Sequence, residues 1–199
     1  MSDAQAALKR LCDPTAEVSA HYLVAADGRL WQLVDEVMRA WHAGAGSWQG
    51  RADVNSRSIG IELENPGTRP FPEPQMRRLE SLLAGVLVRW RISPRGVIGH
   101  SDMAPERKHD PGPRFDWQRL ARQGLALAPV VPLAHTPAPR EPLDACLDAI
   151  GYPPAPAADR LAAFRARFRP VAHATGLPAT SVDHDVAAAV VAAMVGGGA

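Results

Sequence analysis

Ser58-Ile59-Gly60-Ile61-Glu62-Leu63 is the stretch that organises the rest of the chain. Its β-branched and small residues alternate with a period of two, the repeat of an extended strand. Ile59, Ile61 and Leu63 fall on one face, and Gly60, Glu62 and the following Glu64 on the other. Asn65-Pro66-Gly67 closes it, because proline cannot donate to a ladder and glycine favours a turn. Upstream, Val18–Val24 (VSAHYLV) has the β-branched and aromatic content of a second strand. Asp27-Gly28 turns the chain, and Leu30–Val34 pairs back as a hairpin. Downstream, Met76, Leu79, Leu83, Val86 and Trp90 recur at three and four residues, which predicts an amphipathic helix over 74–90. Gly96-Val97-Ile98-Gly99 reads as a short buried strand, 115–124 as a closing helix stopped by Gly124, and 4–11 as an opening helix. Strands interleaved with helices predict an α/β domain over 1–128, a mixed central sheet flanked by helices.

Beyond it, PVVPLAHTPAPREP at 129–142 carries five prolines and reads as a stiff, extended linker. Residues 143–199 return to helical spacing. Leu143, Leu147 and Ile150 form one apolar stripe, Leu161, Phe164 and Phe168 a second, and Val186, Val190, Val191 and Met194 a third. Together they predict a small C-terminal three-helix module.

Across 199 residues, 22 Lys and Arg balance 21 Asp and Glu. A chain so nearly neutral has no electrostatic footprint for nucleic acid or an anionic membrane, and a carbohydrate-like or peptide-like substrate suits it better. Cys12 and Cys146 lie far apart and make no C-x-x-C pattern, so both are expected as unpaired, half-buried thiols. The most apolar run, Val186–Val195, is about half the length of a membrane span and is expected as a buried helix, leaving no transmembrane segment. Met1–Arg10 lacks the apolar core of a secretory signal. The chain has no H-E-x-x-H, Gly-x-Ser-x-Gly or phosphate-binding glycine motif, and no motif bears on oligomeric state.

Chemistry concentrates in Gly99-His100-Ser101-Asp102-Met103-Ala104-Pro105-Glu106-Arg107-Lys108-His109-Asp110-Pro111-Gly112. His with carboxylate is a donor set that suits zinc, although spacing alone does not mark a metal site. Arg39-Ala40-Trp41-His42-Ala43-Gly44 sets an aromatic beside a histidine, as a substrate groove would. Glu62, on the polar face of its strand, is placed as a general base would be.

Read together, VSAHYLV, RAWHAG, N-x-x-SIGIELEN and GHSDMAPERKHDPG, in that order, resemble the type 2 N-acetylmuramoyl-L-alanine amidases over about residues 12–125. The resemblance implies a zinc ion held by two histidines and a third ligand, with His100 and Asp110 as two of the three. It implies Glu62 as the residue that activates water, Lys108 as the stabiliser of the oxyanion, and Asp102 as a partner orienting a ligand histidine. His21, Trp41, His42 and Asn55 are expected to line the substrate site, and peptidoglycan or a muropeptide is the implied substrate. Gly151-Tyr152 and AFRARFRP at 163–170 give the tail a resemblance to the small peptidoglycan-binding module of some of these enzymes. In the family the first zinc-binding histidine lies on an earlier strand, whereas this chain opens directly on helical sequence. The expectation is therefore a start internal to a longer protein, or else a member that binds without cutting; His21 and His109 are the alternative third ligands. As written the chain is expected in the cytoplasm, and in the cell envelope if a further N-terminal segment exists.

Overall fold

The computed structural model describes residues 3–127 and 141–196. Most of the expected linker, at 129–140, lies outside them. Helix α1 (Ala4–Leu11) begins where the Asp3 carboxylate accepts the Gln5 amide at 2.9 Å, and it buries Ala4, Ala7 and Leu11. Strands β1 (Tyr22–Val24) and β2 (Leu30–Gln32) form the expected antiparallel hairpin, turned by Gly28 at φ 87°. β3 (Ile61–Leu63) runs parallel to β1, so the sheet is mixed, with order β2-β1-β3. Each strand is shorter than the sequence suggests. Residues before β1 pair singly instead: Ser19 donates to the Trp41 carbonyl at 3.0 Å and His21 to that of Gly60 at 3.0 Å.

Helix α2 (Glu73–Trp90) covers one face of the sheet with Met76, Leu79, Leu82, Leu83 and Val86, against Ile59, Ile61 and Leu63 of the β3 segment. Removing such side chains from water is worth about 1.5–3 kcal/mol each. The fully buried Gln75 donates to the carbonyls of Val24 at 2.9 Å and Glu64 at 3.2 Å, stitching the ends of β1 and β3 together. Trp90 departs from the expected apolar stripe. It is 43% exposed, and its indole N–H donates to Glu36 at 2.6 Å.

The short strand expected at 96–99 does not form. Among the described residues no strand lies beside it, and the Val97 carbonyl is taken by Arg167 at 2.8 Å. The chain runs straight into α3 (His100–Met103) and then, after a loop, α4 (Trp117–Arg122), with Gly124 at φ 70° just past its end.

The C-terminal region folds as α5 (Leu143–Ile150), α6 (Ala157–Phe168), a single turn α7 (Pro170–His173) and α8 (Ser181–Gly196) around Leu147, Ile150, Phe164, Val190 and Met194. Trp48 and Leu127 pack against that core, so it sits directly on the α/β domain. Of the two cysteines, both free, Cys12 is exposed and Cys146 buried, where both were expected half-buried. No helix among the described residues is long and apolar enough to cross a membrane.

Candidate active site

The sheet face opposite α2 carries Glu62, with the His42 ring beside Gly60 on the same segment and the charges of His100, Lys108 and Asp110 acting on it. Gly60, on the same face, lacks a side chain for a reason: a Cβ there would lie 2.3 Å from Cγ of His42, whose ring rests on the strand backbone. The main chain at 42–43 is held by the Asn55 side-chain oxygen, which accepts both amides at 3.0 and 2.8 Å. Burial first, then the neighbouring His21 and His100, press the His42 imidazole down to about 4, so the ring is neutral near pH 7. Among the described residues its buried Nε2 has no hydrogen-bond partner.

His100 opens α3. The Ser101 amide donates to the Asp110 carbonyl at 2.9 Å, and this folds the loop so that residues 100 and 110 face one another. The His100 Nε2 lies 2.7 Å from the Ala43 carbonyl and its Nδ1 3.2 Å from Asp110 Oδ2. A carbonyl can only accept, so Nε2 carries the hydrogen and a neutral ring presents a lone pair at Nδ1. Two lone pairs at that separation repel, and the arrangement calls for a proton or a cation between them. Imidazole and carboxylate are both zinc donors, so the pair fits a zinc ion as two of its ligands. Among the described residues no set of three His, Cys, Asp or Glu is gathered as a full site needs.

Burial, and then the negative charge of Asp110, raise the Glu62 carboxyl above the usual range, while His100 and Lys108 pull the other way. Burial alone would raise Asp110 too, but the hydrogen bond and charge of His100, with Lys108, outweigh it and hold that carboxyl low. The structure thus brings Glu62, His100, Lys108 and Asp110 into one electrostatic environment.

The expected substrate-lining residues divide. Trp41 is 55% exposed, with the Arg39 guanidinium 4.2 Å above its ring, and is free to meet a ligand. His42 is half-buried at the floor. His21 lies beneath that floor: Nδ1 accepts the Gly60 amide at 3.0 Å and Nε2 donates to the Met38 carbonyl at 3.1 Å. With both nitrogens engaged and 1% of the residue exposed, it neither faces substrate nor can supply a metal ligand. Asn55 is also buried, its oxygen committed to backbone. His109 is exposed, and among the described residues it makes no set of three donors with His100 and Asp110.

Among the described residues Asp102 hydrogen-bonds to no histidine ring, so the expected role of orienting a ligand histidine is not seen. Its oxygens accept from Gly99, Tyr152 and Arg167. Sequence reasoning passed over Tyr152 and Arg167 as site residues, although Gly151-Tyr152 and AFRARFRP had marked the tail.

A family model described as N-acetylmuramoyl-L-alanine amidase matches residues 1–113. The N-acetylmuramoyl-L-alanine amidase AmiD of Escherichia coli is 44% identical over 129 residues, 57% of this chain and 47% of that protein. The 1,6-anhydro-N-acetylmuramyl-L-alanine amidase AmpD of Citrobacter freundii is 45% identical over 103 residues, 52% of this chain and 55% of that one. The chain therefore spans about half the length of the curated relatives it matches. Among solved structures, E. coli AmiD in complex with the substrate anhydro-N-acetylmuramic acid-L-Ala-D-gamma-Glu-L-Lys superposes with a TM-score of 0.82 at 34% identity, over 96% of this chain and 84% of that one. AmpDh3 of Pseudomonas aeruginosa, in complex with an anhydromuramic pentapeptide, does so at 0.79 and 30%, over 94% and 86%.

Proposed function

The chain belongs to the N-acetylmuramoyl-L-alanine amidase family, and from that premise we propose that it hydrolyses the amide between N-acetylmuramic acid and the L-alanine of a peptidoglycan stem peptide, in muropeptides or the intact wall. The observation that carries the reading is the His100–Asp110 pair, with Nδ1 3.2 Å from Oδ2, whose charges together with that of Lys108 act on the buried Glu62 carboxyl. In this reading His100 and Asp110 hold a zinc ion, which when bound supplies Lewis acidity and lowers the pKa of water toward ~7. Glu62 takes the proton of the attacking water and returns it to the leaving amine, a role suited to a carboxyl raised by burial. The Lys108 ammonium opposes the charge that develops on the carbonyl oxygen. Trp41 offers an exposed aromatic face to the substrate. The C-terminal helices are a second contact for peptidoglycan.

A second reading, a chain that binds peptidoglycan without cutting it, is favoured by one observation: among the described residues His100 and Asp110 have no third donor. One experiment separates the two. The chain, incubated with zinc and a muropeptide, releases the stem peptide by mass spectrometry, and a chelator abolishes the release. Intact muropeptide at every zinc concentration, with sedimentation on peptidoglycan unaffected by Glu62→Gln, overturns the first reading in favour of the second.

A further inference from the structure

A buried polar network outside the site joins the two halves of the molecule. Asp102 is 1% exposed. Its Oδ1 accepts the Tyr152 hydroxyl at 2.7 Å, and its Oδ2 accepts the Gly99 amide at 2.8 Å and Arg167 Nη1 at 2.6 Å. The other Arg167 terminal nitrogen donates to the Val97 carbonyl at 2.8 Å. One guanidinium from α6 therefore holds the residue three before His100 and the residue two after it. The same group lies 4.1 Å over the Trp117 ring, at the start of α4. Desolvating an arginine and an aspartate together is costly and stabilises little by itself. What such a pair supplies is one geometry for the segment it grips.

A second grip lies alongside. The Gly151 carbonyl accepts the Gln49 amide at 2.9 Å, and the Tyr152 ring meets Trp48 edge-on at 5.5 Å. The 43–49 loop so held supplies the Ala43 carbonyl that orients the His100 ring, and its Ser47 amide donates to the Met103 carbonyl at 3.0 Å.

We propose that Arg167 and Tyr152 are positioning residues for His100, so that the C-terminal helices complete the metal-binding loop of the α/β domain as well as standing beside it. The proposal rests on the amidase reading for its chemistry but not for its geometry. It predicts that the loop at 97–102 loses its fixed shape when the network is cut, while the core of each half stays folded.

The test uses the full chain with Tyr152→Phe, which removes one hydroxyl, and Arg167→Met, with Arg167→Lys as the conservative variant. Backbone amide exchange is read residue by residue. Exchange at Gly99 and Ser101 is expected to rise at least tenfold in Tyr152→Phe and Arg167→Met, with α2 and α8 unchanged and partial recovery in Arg167→Lys. Zinc affinity, measured by competition with a chromophoric chelator, is expected to fall about 10–100-fold in parallel. Wild-type protection at Gly99 and Ser101 in both variants overturns the proposal, as does a rise spread evenly through α5, α6 and α8, which marks a general packing role. Should the wild-type chain bind no zinc, the amidase reading fails, and the exchange at Gly99 and Ser101 still decides the positioning role.

Discussion

Replacing Asp183 by alanine should unfold the C-terminal helices selectively. Its side chain is fully buried and accepts five hydrogen bonds: Arg165 Nε at 3.1 Å and Nη2 at 2.8 Å, Arg169 Nη1 at 2.5 Å, and the Thr180 amide and hydroxyl at 2.8 and 2.9 Å. The Thr180 contacts form half of a capping box at the start of α8. Alanine leaves the Arg165 charge buried with only the carbonyls of Leu177 and Pro178, a loss of about 3–5 kcal/mol for a buried charge without its partner. The lost cap adds about 1 kcal/mol. Set against the roughly 5–15 kcal/mol that holds a whole domain, this removes a large share of the stability of α5–α8. Urea unfolding of the full chain, followed by far-UV circular dichroism, should show an early transition absent from wild type. Arg165→Met combined with Asp183→Leu should recover at least half of the loss, since apolar replacement removes the buried charge as well. A single-variant cost under about 1 kcal/mol, or a double variant no better than the single, refutes the reasoning. Acid gives an independent check. Burial alone would raise the Asp183 carboxyl, but hydrogen bonds from Arg165, Thr180 and Arg169 outweigh it and hold it far below its ordinary value. The stability it contributes is therefore complete above the unfolded pKa of ~3.9 and drains away as pH falls below that. Asp183→Ala should lack that slope.

Three further outcomes follow from the site. Because burial and Asp110 raise the Glu62 carboxyl, the acid limb of muropeptide hydrolysis should lie above the ~4.3 of an ordinary glutamate; Glu62→Gln should lower kcat by about 10²–10⁴-fold with little change in KM, and an unaltered kcat removes Glu62 from the proton transfer. Gly60→Ala sets a methyl 2.3 Å from the His42 ring, so the ring must move; a loss of about 1–3 kcal/mol in thermal unfolding is expected, and an unshifted Tm shows that the ring does not rest on the strand.

The elements with local causes were legible in the sequence. α1 and α2 begin and end within a residue of their expected bounds, because spacing and capping are written in neighbouring residues. The strands were overextended because β propensity continues past the point where a partner ends: Val97 and Ile98 are good strand residues with no ladder to join. Tail periodicity located α5, α6 and α8 through their apolar stripes but gave no place to the arginines of α6. Arg160, Arg165 and Arg167 are buried, each beside an aspartate. In the site, the loop at 99–112 stood out by composition, and Glu62 by alternation. The duties of His21, Asn55 and Asp102 did not, since each is set by partners 12 to 65 residues away that no local pattern reveals.

Gln75 sets the direction in which the proposed base points. β1 and β3 pair over three residues, with backbone bonds at the two ends from His21 to Gly60 and from Glu64 to Val24. Because successive residues alternate sides, a slip of one position would turn Glu62 into the oily layer under α2 and lift Ile61 toward the histidines. A single carboxamide, reaching from the first turn of α2 to both strand ends, makes every such shift break a bond. The reach of Glu62 toward water is therefore decided at the far end of its strand.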